Sequence, residues 1–152
     1  MRRIVIGCIL ACAIIISATA STDEWTDNLK EAQQQAKKLD RYLLINFSGS
    51  DWCSWCIKLD KEVFSQDAFQ TYASDQLVLM VADFPRSKEQ PEDLKAQNQD
   101  LAKKYGIRGF PTVIVRSPDG EVAAQTGYRP GGADDYVAHL KEIIRKHKAQ
   151  QK

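Results

Sequence analysis

Cysteine is scarce in this chain, with four residues in 152, and two of them, Cys8 and Cys12, fall in an apolar N-terminal stretch. Only Cys53 and Cys56 stand in the part expected to fold, which excludes the dense disulfide framework of a small stapled domain. The core must form by ordinary burial. Histidine is scarcer still: the two present, His139 and His147, lie on one predicted helix about 12 Å apart by rise. With no further cysteine available, a zinc site lacks ligands and no metal is expected. Neither sign of charge dominates, with 21 basic residues against 20 acidic, so no nucleic-acid or anionic-membrane partner is implied. The chain has no nucleotide or flavin motif, no internal repeat and no low-complexity segment.

Long apolar runs are also missing beyond the N-terminus. Arg2 and Arg3 precede a continuously apolar stretch from Ile4 to Ile16, and Ala18-Thr19-Ala20 has the small-x-small pattern of a cleavage site. This is the pattern of a secretory signal over residues 1–20, cleaved after Ala20. The apolar stretch falls short of the roughly 20 residues that a membrane span needs, which disfavours an uncleaved anchor. Ile9-Leu10-Ala11-Cys12 faintly resembles a lipoprotein box, but apolar residues continue past Cys12. A chain starting at Ser21 suffices for one domain, expected over residues 21–147 with a frayed tail at 148–152. Export places the remaining cysteine pair where thiols can oxidise.

Trp25, Leu29, Ala32, Ala36 and Leu39 recur at helical spacing and predict an amphipathic helix over about 26–40. Tyr42 to Phe47 is almost unbroken apolar sequence, as in a strand covered on both faces, and Ser48-Gly49-Ser50-Asp51 ends it. A helix follows from Cys53, with Cys56, Leu59 and Val63 on one stripe. Ser65 offers the N-cap of a short helix through Tyr72. Leu77 to Ala82 reads as a second buried strand, and residues 83–91 as a polar loop. Glu92 to Tyr105 reads as a helix stopped by Gly106. Thr112 to Arg116 and Glu121 to Thr126 flank the turn Ser117-Pro118-Asp119-Gly120 and should pair antiparallel. Ala133 to His147 forms the last helix. The order predicts an α/β fold, a central mixed β-sheet flanked by helices.

The chemistry resides in Cys53-Ser54-Trp55-Cys56. Two thiols one helical turn apart can cycle between dithiol and disulfide. Exchange needs a thiolate, and a free thiol near pKa 8.5 is mostly protonated at neutral pH. At a helix N-terminus the unpaired N–H groups stabilise the Cys53 thiolate, making Cys53 the nucleophile. Cys56, a turn deeper and more covered, is then the resolving thiol. Neither Ser54 nor Trp55 adds a positive charge, which favours a more reducing couple. Three other readings compete. A structural disulfide would close so small a loop that it contributes only about 2 kcal/mol; a half zinc site lacks partners; and inert buried thiols sit poorly beside Gly49, Ser50 and Asp51.

Asp51-Trp52-Cys53-Ser54-Trp55-Cys56, with Gly109-Phe110-Pro111-Thr112, resembles the thioredoxin superfamily over about residues 25–147. More narrowly, Gly49 to Cys53, Ile57-Lys58, Asp83-Phe84-Pro85 and Gly127 to Gly132 resemble the small chlamydial DsbH-type periplasmic oxidoreductases. The resemblance implies a thioredoxin-like fold in which Pro111 is cis and faces the thiol pair. The Phe110 backbone would receive an extended substrate segment as an added strand, while Pro111 keeps a backbone N–H away from the sulfurs. Trp52, Ser54, Trp55 and Phe110 would border substrate, with a plain core role for Phe110 as the alternative. No cofactor is implied beyond the Cys53–Cys56 disulfide.

One position departs from the family pattern. Thioredoxins bury an aspartate near the end of the preceding strand; here the counterpart is Asn46, which cannot serve as a base. Asp51, Lys58 or solvent remain as routes for the proton. Asn46-Phe47-Ser48 also matches a glycosylation sequon by chance. The resemblance implies a monomeric periplasmic thiol-disulfide oxidoreductase that reduces disulfides in exported proteins, with a membrane electron donor of the DsbD kind. An oxidase running the exchange in reverse and a non-catalytic binding module are the alternatives.

Overall fold

β1 (Tyr42–Ser48) is buried along its whole length because both of its faces are covered. Tyr42 and Leu44 point into one hydrophobic cluster with Leu59, Phe64, Phe69 and Tyr136. Leu43, Ile45 and Phe47 point into a second cluster with Ala32, Ala36, Met80 and Leu101. Alternation of side chains along a strand sends neighbouring apolar residues to opposite faces, so an unbroken apolar run needs two layers of helix. The computed structural model describes residues 25–151; the expected signal sequence lies outside them.

Among the described residues the sheet has four strands in the order β2 (Leu77–Asp83), β1, β3 (Thr112–Arg116), β4 (Val122–Gly127). β1 pairs parallel with β2, from Tyr42 opposite Leu77 to Ser48 opposite Asp83. It pairs antiparallel with β3, and β3 with β4. The sheet is therefore mixed. α1 (Leu29–Leu39) and α4 (Glu92–Tyr105) cover one face. α2 (Ser54–Leu59), a π-helical turn at Asp60–Phe64, α3 (Asp67–Gln76) and α5 (Gly132–Gln150) cover the other. No helix among the described residues is long and apolar enough to cross a membrane.

Several boundaries differ from the periodicity. Trp25 and Thr26 precede α1 rather than joining it: Thr26 bridges Met80 at the edge of β2, and the Trp25 ring lies 5.0 Å from Phe64, on the opposite face of the sheet from α1. The chain thus wraps the sheet edge before the helix starts. Asn28 starts that helix, its Oδ1 accepting the Glu31 N–H at 3.1 Å. Ser65 does not cap α3; its hydroxyl donates to Asp60 Oδ2 at 3.2 Å and the cap residue is Gln66. α3 runs past Tyr72 to Gln76 because Phe69 and Ala73 both reach the core. α5 continues to Gln150, three residues beyond the expected end at His147. The sequon residue Asn46 is an interior strand position, 8% exposed.

Candidate active site

The site forms where β1 and β2 end side by side. Asp83, the last residue of β2, accepts the Ser50 N–H at 2.9 Å and the Ser50 hydroxyl at 2.6 Å. The Asp83 carbonyl in turn accepts the side chain of Asn98, buried in α4, at 3.0 Å. Gly49 lies so close to the Trp52 indole that an added Cβ would run into the ring. Its carbonyl accepts the Cys53 N–H at 2.8 Å. Trp52 is fixed by its Nε1–H donating to the Phe84 carbonyl at 2.8 Å. Two strand ends and one helix therefore hold the turn that presents the cysteines.

Cys53 is the N-cap of α2, and its Sγ accepts the Cys56 N–H at 3.2 Å. A capping sulfur takes a donor that the first helical turn would otherwise leave unpaired. Cys53 and Cys56 are joined as a disulfide with Cα atoms 5.2 Å apart. Both sulfur-bearing residues are buried, Cys53 at 6% and Cys56 at 4% exposed, so Cys56 is the more covered by a small margin. What separates them is the N–H directed at Cys53.

The Phe110–Pro111 peptide is cis. Gly127 of β4 approaches closely, and a Cβ there would meet the Pro111 carbonyl oxygen at 2.9 Å. The Phe110 ring lies 5.1 Å from Phe84, against the core, and meets Trp52 edge-on at 5.9 Å. Ser54 and Trp55 are exposed between the cysteines. Trp55 packs 5.1 Å from Tyr128, and Lys58 Nζ lies 5.1 Å and 5.2 Å over the two rings. The Tyr128 hydroxyl donates to Glu62 at 2.7 Å. Tyr128 was missed as a site residue because its position beside Trp55 depends on the β4–α5 loop; only its place in the 127–132 run hinted at it.

Asn46 lies on the β1 face shared with Leu44 and Leu59, and its Oδ1 has no hydrogen-bond partner among the described residues. The two other candidate proton carriers are engaged. Asp51 accepts the backbone N–H groups of Arg86 and Ser87, which hold its carboxyl below the ordinary range. Lys58 is held by the aromatic pair and by Glu62 at 3.8 Å. Among the described residues no cluster of three or more His, Cys, Asp or Glu side chains is placed to hold a metal ion.

A mixed sheet with helices on both faces, a Cys-x-x-Cys pair at a helix start and a cis-proline loop together define a thioredoxin-fold thiol-disulfide oxidoreductase. The comparisons agree. The family model for a thioredoxin-like domain matches residues 29–144. The disulfide bond reductase DsbH of Chlamydia pneumoniae is 32% identical over 126 residues, covering 83% of this chain and 75% of its own length. A solved structure of a DsbH oxidoreductase superposes with a TM-score of 0.77 at 31% identity, covering 91% of this chain and 94% of that one. The reduced C-terminal domain of DsbD from Neisseria meningitidis superposes at 0.55 with 25% identity, covering 76% and 93%. The chain belongs to the thioredoxin-like family and, within it, to the DsbH-type proteins.

Proposed function

We propose that this protein reduces disulfides in exported proteins of the periplasm, with Cys53 as nucleophile and Cys56 as resolving thiol. The observation that carries the assignment is the Cys56 N–H directed at Cys53 Sγ at 3.2 Å. That donor stabilises negative charge on Cys53 and offers none to Cys56, and charge-stabilised thiolates are the attacking species. The Cys53 thiolate attacks one sulfur of a substrate disulfide; that bond breaks, a mixed disulfide forms and the departing thiolate takes a proton. Cys56, one turn away, loses its proton and attacks Cys53 Sγ. Substrate leaves as the dithiol, and the protein is left as the Cys53–Cys56 disulfide.

The backbone beside Phe110 and Pro111 receives the substrate as an extended segment, bordered by Trp52, Ser54 and Trp55. With Asn46 unable to accept a proton and Asp51 and Lys58 engaged elsewhere, solvent takes the Cys56 proton. Return to the dithiol needs two electrons and two protons. We assign their supply to a membrane donor of the DsbD kind, whose C-terminal domain shares this fold. Residues 1–20 serve as a cleaved export signal, and the rest of the chain acts as one monomeric domain whose last helix runs to Gln150. No cofactor is needed beyond the cysteine pair.

Cys53→Ser is expected to abolish reduction of a protein disulfide, and Cys56→Ser to accumulate a mixed disulfide visible by mass spectrometry. Retained reduction in the first variant would remove Cys53 as the nucleophile, and capture of unfolded chains without reduction by the unaltered protein would assign the domain to binding rather than catalysis. Equilibration against glutathione fixes the direction: a strongly oxidising potential would transfer the protein to disulfide formation.

A further inference from the structure

The exchange chemistry leaves Arg86 unused. Its guanidinium carbon lies 3.7 Å over the Trp52 ring, and Trp52 both precedes Cys53 and meets Phe110 edge-on at 5.9 Å. The Arg86 backbone is pinned as well: its N–H donates to both Asp51 carboxylate oxygens, at 3.0 Å and 3.2 Å, and the Ser87 N–H donates at 2.7 Å. Stacking on an indole costs a guanidinium none of its in-plane donors. The cation is therefore seated on the rim of the sulfur-bearing surface while its hydrogen-bonding edge stays open.

The carboxylates that meet this surface are already engaged. Asp51 is held by the two backbone N–H groups, Asp83 by Ser50, and Glu62 by Tyr128 and Lys58. Arg86 is exposed and forms no salt bridge among the described residues. The rim beside Cys53 thus combines aromatic surface with a guanidinium whose in-plane donors are free to take a carboxylate.

We propose that Arg86 selects disulfides with an acidic side chain close by in sequence, binding a carboxylate two residues from the cysteine that Cys53 attacks. The proposal rests on the exchange reaction above and names its substrate class. An extended segment advances about 3.3 Å per residue, so a carboxylate two positions away lies roughly 7 Å along the chain on the same side as the cysteine. The guanidinium fork can grip it with two parallel N–H bonds without leaving the indole. A charge on the rim of an interface acts mainly on the association rate and is screened by salt. Arg86 makes and breaks no covalent bond, so the electron and proton balance of the exchange is unchanged.

The test uses three synthetic cystine peptides that differ only in the residues two positions to either side of one cysteine: Glu, Gln or Lys. Each is reduced by the full chain in its dithiol form, and each rate is divided by that of dithiothreitol with the same peptide, which removes the peptide's intrinsic reactivity. At low salt the Glu peptide should react about fivefold faster than the Lys peptide, the ratio expected for an exposed charge pair near the upper end of its range. That ratio should shrink toward unity at about 1 M salt. Arg86→Gln should collapse it, Arg86→Lys should retain part of it and Arg86→Glu should invert it, whereas Lys38→Gln on α1 should leave it standing. Equal rates in the unaltered protein, or a preference that persists in Arg86→Gln, would overturn the selectivity alone. Failure of the unaltered protein to reduce even the Gln peptide would remove the exchange reading and this proposal with it.

Discussion

Asp51 sits two residues before Cys53, and its carboxylate ties down the loop that follows β2 by accepting the Arg86 and Ser87 N–H groups. The Arg86 and Ser87 N–H groups favour its ionised form, lowering its pKa from the ordinary 3.8. A carboxyl with a lowered folded-state value adds stability that is fully present above the unfolded value and is lost as pH falls below it. Asp51→Asn removes the titration while keeping an acceptor oxygen. The difference in melting temperature between the parent and Asp51→Asn should therefore be largest at and above about pH 5 and close as pH drops below roughly 3.8. A thermal scan at several pH values measures this. A difference that stays constant down to pH 2 would show that the carboxylate does not hold the loop. The residue type was legible as a turn former; its partners were not, because Arg86 and Ser87 lie some 35 positions away and are brought near only by β2 running parallel to β1.

At the scale of elements, α1 shows what periodicity captures and what it overlooks. The apolar stripe located the helix, but it drew Trp25 in as a first member because an indole at the right spacing is indistinguishable from a helical core residue. The stronger local signal was Asn28 with Glu31 three residues on, a capping pattern that sets the start to within one residue. Asn28→Ala should destabilise the protein by about 1 kcal/mol, read as a lower urea midpoint at unchanged slope. An unchanged midpoint would mean that Thr26 and the β2 edge fix the helix start unaided. Ser65 failed as a cap for the converse reason: its hydroxyl had a nearer partner in Asp60, offered by a π-helical turn that no simple repeat predicts. β1, β3 and β4 were legible almost to the residue, since each is bounded by turn formers. Asn98 was not, because a polar residue on an otherwise polar helix gives no sign that it is 1% exposed and bonded to the Asp83 carbonyl.

Across the whole molecule, β1 connects two ends with separate tasks. The cysteine turn follows Ser48, whereas Tyr42, about 20 Å away along the strand, anchors the far end of α5. The Tyr42 hydroxyl and His147 Nδ1 are hydrogen-bonded at 2.9 Å in a buried setting. His147 Nε2 lies 3.5 Å from Glu121 on the β3–β4 hairpin, and Gln151 donates to the same carboxylate at 2.8 Å. This contact brings the start of the central strand, the hairpin and the last helix together, which is why α5 stays ordered past His147. Tyr42→Phe keeps the ring and its packing but leaves a buried imidazole nitrogen unpaired, so it should cost about 1–3 kcal/mol of stability. The alkylation rate of Cys53 in the reduced protein should be unchanged, because its environment is set by the Cys56 N–H and the Gly49–Trp52 turn at the opposite end of β1. Denaturant unfolding and thiol alkylation on the same variant separate the two effects. A fall in both together would show that the sheet transmits the anchor's loosening to the sulfurs, and that the division of the fold into an anchoring end and a reactive end does not hold.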